Sequence, residues 1–275
     1  GQLWSPENYD HKSHGEIPLM DALVHSYNQA TVQVGLNVGV ANLIRKIKQL
    51  GIAAEVPSVP ASILGAVELT PIEVTQMFQS LAAGGYSVPL RSVTAVLTPG
   101  GELLSRYPLR FMPLENRDAI ALLNFALTRV VEEGTARELH GLLGNDTLIA
   151  GKTGTTNERR DSWFVGYTRD RVAATWVGLD DNRPAGVTGS NAAMQVWAGL
   201  FRHLPIEAVD LRMPDGANFV WVDRQQQAST DPSCPGAVQI PFIEGSEPQK
   251  NTECLKNKDN KNKKSLWRKL FGRKD

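Results

Sequence analysis

Residues 147–179 constrain the fold of this chain more than any other stretch. The apolar lead-in Thr147-Leu148-Ile149-Ala150 runs into Gly151-Lys152-Thr153-Gly154-Thr155-Thr156. A polar turn (Asn157 to Arg160) separates this from Asp161-Ser162-Trp163-Phe164-Val165-Gly166-Tyr167-Thr168. After a tight Arg169-Asp170 turn comes Val172-Ala173-Ala174-Thr175-Trp176-Val177-Gly178-Leu179. Parallel neighbours need a crossover of about a dozen residues, so links this short predict a three-stranded antiparallel meander. The Lys-Thr-Gly run then lies in its first strand.

That run has the composition of an acyl-transfer site, which must hold a substrate carboxylate and stabilise an oxyanion. Lys152 supplies positive charge, and the hydroxyls of Thr153 and Thr155 can donate to a carboxylate. Gly154 lacks a side chain, so an extended peptide can lie close against the strand. The backbone N–H of Thr155 is a candidate oxyanion donor. Taken without context, the glycine reads as a bulge and the threonines as ordinary strand formers.

A second short motif is Ser26-Tyr27-Asn28, between an amphipathic stretch from Ile17 to His25 and a longer apolar segment beginning near Ala30. In a helix, residues two apart point to different faces, whereas in extended or loop backbone they point the same way. A shared task for Ser26 and Asn28 therefore places them at a break between two helices.

With these motifs in view, the chain resembles the C-terminal part of the class A, bifunctional penicillin-binding proteins, of the 1B type. Further segments carry the likeness: Trp4-Ser5-Pro6-Glu7-Asn8-Tyr9, Leu19-Met20-Asp21-Ala22-Leu23, Pro60-Ala61-Ser62-Ile63-Leu64-Gly65, Glu68-Leu69-Thr70-Pro71, Ser80-Leu81-Ala82-Ala83-Gly84-Gly85, Glu133-Gly134-Thr135-Ala136 and Asp161-Ser162-Trp163-Phe164. The resemblance is strong over 1–205 and looser to roughly 255.

The resemblance implies an α/β chain of the α+β type, an antiparallel sheet flanked by helices as in penicillin-binding protein transpeptidases and serine β-lactamases, here incomplete at the N-terminus. It implies a transpeptidase domain over 1–205 and a small extension over 206–255, while the charge run over 256–275 reads as a basic, disordered tail. The implied activity is serine-type D,D-transpeptidation, cross-linking peptidoglycan stem peptides within a glycosyltransferase–transpeptidase synthase, with acylation by β-lactams. The family uses a serine activated by a lysine in Ser-x-x-Lys. No lysine here has a serine three residues before it, and Gln29 stands three residues after Ser26. The nucleophile is therefore expected upstream, along with the glycosyltransferase domain and membrane anchor, and the isolated chain is expected to be inactive. By resemblance Ser26 relays protons between the serine nucleophile and Lys152, Asn28 orients the substrate amide, and Thr153 and Thr155 bind the terminal carboxylate. The domain would work on the periplasmic side of the bacterial inner membrane.

Two other classes of function share parts of this pattern. A serine carboxypeptidase or β-lactamase would hydrolyse the acyl-enzyme with water. A non-catalytic module would only recognise cell-wall peptide or a partner protein. Persistence of a penicillin adduct separates the synthase from the hydrolase, and a parent lacking Ser-x-x-Lys would favour the third.

The chain has 275 residues, 41% of them hydrophobic, enough for a sizeable core with one main domain and an appendage. No run of eighteen apolar residues exists. The formal net charge of zero hides an uneven distribution, because 256–275 carries nine Lys/Arg against two Asp. Leu266, Trp267, Leu270 and Phe271 add an apolar patch at helical spacing, so this tail offers weak contact with an anionic membrane surface. In an exported protein, Cys234 and Cys254 are expected to form a disulfide, contributing about 3 kcal/mol by loop entropy. No cofactor or metal is expected, since the five histidines are scattered without ligand spacing. Nucleic acid is not an expected partner, and protein partners are left open.

Thr70-Pro71-Ile72-Glu73 predicts a capping box opening a helix that ends at Gly84-Gly85. Asn116 to Glu133 predicts a helix with Ile120, Leu123, Leu127, Val130 and Val131 on one face. Ala193, Val196, Trp197, Leu200 and Phe201 read as a core-facing stripe. Ser92 to Tyr107, around Pro99-Gly100-Gly101, reads as a hairpin. Between Val32 and Leu50 the pattern is first strand-like and then helical; the resemblance favours helix throughout.

Overall fold

The computed structural model describes residues 4–224, 227–251 and 254. The chain divides into two compact units, Gly1–Arg212 and Met213–Asp275.

The first unit begins with α1 (Leu19–Val24), α2 (Asn28–Val38) and α3 (Val40–Gln49). The 32–49 segment is helical except at Gly39, whose φ of 89° ends α2 and precedes α3, and Leu50 caps the end. That backbone conformation cannot continue a right-handed helix and suits only glycine well. The alternating valines belong to no strand: Val32 is buried, but Val34, Leu36 and Val38 face outward.

Next comes α4 (Pro71–Ala82), opened as predicted by the Thr70–Glu73 capping box. The Glu73 carboxylate accepts from the Thr70 N–H at 2.9 Å and the Thr70 hydroxyl accepts from the Glu73 N–H at 3.3 Å. These bonds to Thr70 hold the Glu73 carboxyl below its usual range. After Gly84 and Gly85, β1 (Tyr86–Ser87) is the partner of a later strand, and β2 (Ala95–Leu97) pairs with β3 (Leu103–Arg106) as the expected hairpin. Then β4 (Met112–Pro113) closes on β1.

The longest helix among the described residues, α5 (Arg117–Glu132), buries Ile120, Leu127, Val130 and Val131. Asn116 precedes it in left-handed backbone, with no side-chain cap. After α6 (Leu139–Leu143) comes the meander of β5 (Ala150–Thr155), β6 (Ser162–Tyr167) and β7 (Val172–Val177). These strands are antiparallel in the order β5-β6-β7, with Lys152 opposite Val165, Gly154 opposite Trp163 and Trp163 opposite Trp176. The sequence reading started the first strand at Thr147; the ladder starts at Ala150, because the Leu148 carbonyl instead accepts from the Val209 N–H at 2.9 Å.

Both faces of this sheet are covered. Tyr167 lies against Phe78 of α4 and donates to Asn124 of α5 at 2.8 Å, while Asn124 donates to the Leu81 carbonyl at 2.9 Å. The opposite face packs against α7 (Met194–Phe201), where Trp197 meets Phe164 edge-on at 5.5 Å and stacks on Phe201 at 3.6 Å. The stripe read as core is only partly so. Ala193, Trp197 and Phe201 are buried, four residues apart, but Val196 and Leu200 are 56% and 53% exposed. The buried face of α7 runs instead through Met194, Trp197, Ala198 and Phe201, so Val196 and Leu200 fall just past its edge. The architecture is the expected antiparallel sheet between helices.

Residues 206–212, expected in the extension, belong to the first unit: the Glu207 carbonyl accepts from the Arg169 N–H at 3.1 Å, beside the Val209–Leu148 bond. In the second unit, β8 (Ala217–Asp223), β9 (Ala228–Ser229) and β10 (Ala237–Ile243) form a sheet in the order β10-β8-β9. Cys234 and Cys254 are joined by a disulfide with their Cα atoms 5.9 Å apart. The basic stretch 256–275, with its apolar patch, lies outside the described residues. Among the described residues no helix is long and apolar enough to cross a membrane.

Candidate active site

The site begins where α1 stops. The Tyr27 N–H reaches the Ala22 carbonyl at 2.9 Å and the Ser26 N–H reaches the Leu23 carbonyl at 3.2 Å. This is the double bond pattern of a Schellman C-cap, whose left-handed position is usually glycine. Here Ser26 occupies it, with φ of 57°. Holding a serine in left-handed backbone costs about 1 kcal/mol, and the hydroxyl is what a glycine could not provide.

That hydroxyl accepts from Lys152 Nζ at 2.9 Å, across 126 residues of sequence. Lys152 Nζ also donates to the Thr153 carbonyl at 3.0 Å. Both partners are neutral oxygens, and no carboxylate lies within ion-pairing distance of Lys152 among the described residues. Burial of the ammonium lowers the Lys152 pKa to about 8.

The rest of β5 is fixed by its neighbours. The Thr153 hydroxyl meets the Thr135 hydroxyl at 2.6 Å, and the Thr155 hydroxyl accepts from the Gly189 N–H at 3.0 Å. Gly189 lies directly on Gly154: a Cβ there would stand 2.7 Å from the Gly154 carbonyl and 2.6 Å from that of Trp163. Beyond the strand, Thr156 and Asp161 close the turn. The Asp161 N–H donates to the Thr156 hydroxyl at 2.8 Å, and the Asp161 carboxylate accepts from that hydroxyl and from Trp176. Because β5 is an edge of its sheet, its outer side has no strand partner among the described residues.

Asn28, the first residue of α2, donates its amide to the Glu7 carbonyl at 2.7 Å. The structure thus brings together Ser26, Lys152, Thr153, Gly154 and Thr155, and ties Asn28 to the 4–9 segment. Cys234 and Cys254 belong to the second unit. Sequence reasoning assigned no role to Thr135, although Glu133-Gly134-Thr135-Ala136 was conspicuous; nothing in its spacing indicates a contact with Thr153. Among the described residues no three His, Cys, Asp or Glu side chains cluster as a metal site would require.

The cost of the Ser26 backbone is measurable. Ser26→Gly is expected to be more stable than Ser26→Ala by about 1 kcal/mol, roughly 2–4 °C in Tm, because only the alanine retains the left-handed strain. Both variants lack the hydroxyl. Thermal melts of the two, compared directly, test the C-cap assignment, and equal melting temperatures would discard it.

Comparison with known proteins places this geometry. The description "Penicillin binding protein transpeptidase domain" matches residues 1–200. Penicillin-binding protein 1B of Vibrio cholerae is 35% identical over 273 residues, covering 98% of this chain and 34% of the relative. Penicillin-binding protein 1B of Escherichia coli is 35% identical over 255 residues, covering 90% of this chain and 29% of the relative. The chain therefore spans about a third of the length of these relatives. Among solved structures, penicillin-binding protein 1A from Haemophilus influenzae superposes with a TM-score of 0.80 at 20% identity, over 91% of this chain and 43% of that one. An imipenem acyl-enzyme complex of penicillin-binding protein A from Mycobacterium tuberculosis superposes with a TM-score of 0.61 at 19% identity, over 74% of this chain and 52% of that one. The chain belongs to the penicillin-binding protein transpeptidase domain family, on its class A branch.

Proposed function

We propose that this chain supplies the carboxylate-binding and proton-relay half of a D,D-transpeptidase site in a bifunctional peptidoglycan synthase. The observation that carries the reading is the 2.9 Å contact between Lys152 Nζ and Ser26 Oγ beside an open strand edge. In a strand, the N–H and C=O groups of residues two apart point the same way. The Thr153 carbonyl turned toward Lys152 and the Thr155 N–H therefore share the edge that an extended stem peptide would pair with. Gly154 keeps that approach free of side chain.

The roles follow from the chemistry. A serine nucleophile from a Ser-x-x-Lys outside these 275 residues attacks the substrate carbonyl: its oxygen–carbon bond forms, the carbon–nitrogen bond breaks, and the serine's proton, taken up by the lysine of that motif, is matched by one delivered through Ser26 to the leaving amine. Ser26, with a donor on one side and a lone pair on the other, relays the proton between that serine and Lys152. The Thr155 N–H donates to the oxyanion. Thr153 and Thr155 hydroxyls hold the terminal carboxylate, with the Lys152 cation behind them. Asn28 has one amide N–H committed to Glu7 and keeps its other N–H and its oxygen for a substrate amide. A β-lactam presents the same carboxylate and strained amide, so it acylates the same serine. The work takes place on the periplasmic side of the inner membrane.

Intact mass after incubation with benzylpenicillin tests this. The full-length parent is expected to gain one long-lived adduct and the 275-residue chain none. A stable adduct on the isolated chain would refute the external nucleophile and make Ser26 the next residue to test. Rapid loss of the parent's adduct would show a hydrolase instead.

A further inference from the structure

We propose that Thr135 is a positioning residue for carboxylate recognition: its hydroxyl orients that of Thr153 so that the Thr153 proton points at the bound anion. The proposal rests on the transpeptidase reading above and adds a residue outside the Ser-x-Asn and Lys-Thr-Gly motifs.

The two hydroxyl oxygens are 2.6 Å apart, a short O–H···O contact. A hydroxyl carries one proton and two lone pairs, so the pair has two arrangements. If Thr153 donates to Thr135, Thr153 can show a carboxylate only lone pairs, and the two repel. If Thr135 donates to Thr153, the Thr153 proton is released toward the strand edge. An anion at that edge selects the second arrangement, and each bond in the resulting chain strengthens the next.

The backbone around Thr135 keeps it in place. Its N–H donates to the Val24 carbonyl at 3.3 Å, two residues before Ser26. On either side, the Gly134 and Ala136 N–H groups both donate to the Val130 carbonyl at 3.1 Å. Gly134 and Ala136 are buried, while Thr135 is partly open. Thr135 thus links the end of α5, the end of α1 and the carboxylate-binding strand, and its side chain alone crosses to Thr153.

The test uses the full-length parent with benzylpenicillin and its methyl ester, which lacks the carboxylate charge. The wild type is expected to be acylated faster by the acid, and Thr153→Val to lose most of that preference. Thr135→Val, of nearly the same shape, is expected to reduce the acid's second-order acylation constant by about tenfold. Its reaction with the ester should change less than twofold, and Thr135→Ser should restore the preference. Should Thr135→Val not fold, Thr135→Ala takes the same comparison. Equal slowing of acid and ester by the Thr135 variant, or no slowing of either, overturns the positioning role while the carboxylate reading stands. If the Thr153 variant keeps the full preference for the acid, the carboxylate reading itself falls and this inference with it.

Discussion

Lys152→Met in the full-length parent is expected to lower the second-order rate of penicillin acylation by about 10³-fold without lowering thermal stability. Methionine is unbranched and fills a similar path, so the packing around β5 is retained. What disappears is the donor to Ser26 Oγ and to the Thr153 carbonyl, together with the cation proposed to attract the substrate carboxylate. Stability is spared because Lys152 bears its charge under burial, which lowers its pKa to about 8. Between pH 8 and the ordinary lysine value near 10.5, the unfolded chain holds this proton more tightly than the native state. Wild-type stability must then rise with pH across that window, with the desolvation penalty fully present below it. The methionine variant lacks both penalty and rise, so its Tm advantage should be greatest at pH 7 and shrink by pH 10. Acylation has the opposite trend. Loss of the free enzyme's cation gives the wild-type rate a descending limb above about pH 8, at most tenfold per pH unit, that the variant does not show. A variant that retains a tenth of wild-type acylation would exclude Lys152 from the site.

These residues were unequally legible in the sequence, for physical reasons. Short polar links leave three apolar segments no option but a meander, so the strand carrying Lys152 was readable directly. Ser26 and Asn28 were separable from a helix because residues two apart cannot share a helical face, and the break falls between α1 and α2. The Schellman cap was not readable, since a serine in a position that favours glycine has no local signature. Thr135 was invisible for a different reason: its partner is 18 residues away and the contact depends on how α5 ends against α1. The stripe at 193–201 is over-read because apolar residues three and four apart mark an arc without fixing its edge: Met194 and Ala198 turn inward, and Val196 and Leu200 lie just outside it. The alternation at Val32–Val40 misleads in the other direction. Three of its valine and leucine side chains face solvent from a helix, so the period of two marks no buried face. Residues 206–212 lie past the strong part of the resemblance, and the two backbone bonds to Leu148 and Arg169 that join them to the first unit leave no trace in the side-chain pattern.

Gly134→Ala is expected to damage stability and site together. A Cβ at Gly134 would stand 2.4 Å from the Val24 carbonyl oxygen, 2.8 Å from that of Val130 and 2.9 Å from the Val130 Cα. All three are backbone atoms of fully buried residues, so no rotamer change relieves the overlap. The backbone angles of Gly134 are open to alanine, which makes space the whole difficulty. The end of α1 must then move away from the end of α5, at a cost of about 1–3 kcal/mol, roughly 3–10 °C in Tm. That movement breaks the Thr135–Val24 bond and carries Ser26 with it. The Lys152–Ser26 and Thr135–Thr153 contacts, at 2.9 and 2.6 Å, have no slack for such a shift. Misplacing a catalytic group by about 1 Å costs on the order of 10²-fold in rate, so acylation should fall far more than the unfolded fraction explains. Gly141→Ala provides the control. It lies inside α6 with nothing within 4 Å of the added carbon, so it should raise stability by about 0.5–1 kcal/mol and leave acylation unchanged. If Gly134→Ala behaved like Gly141→Ala, the close approach of α5 to the Val24 carbonyl could not be what holds Ser26 and Thr135 in register with the Lys-Thr-Gly strand.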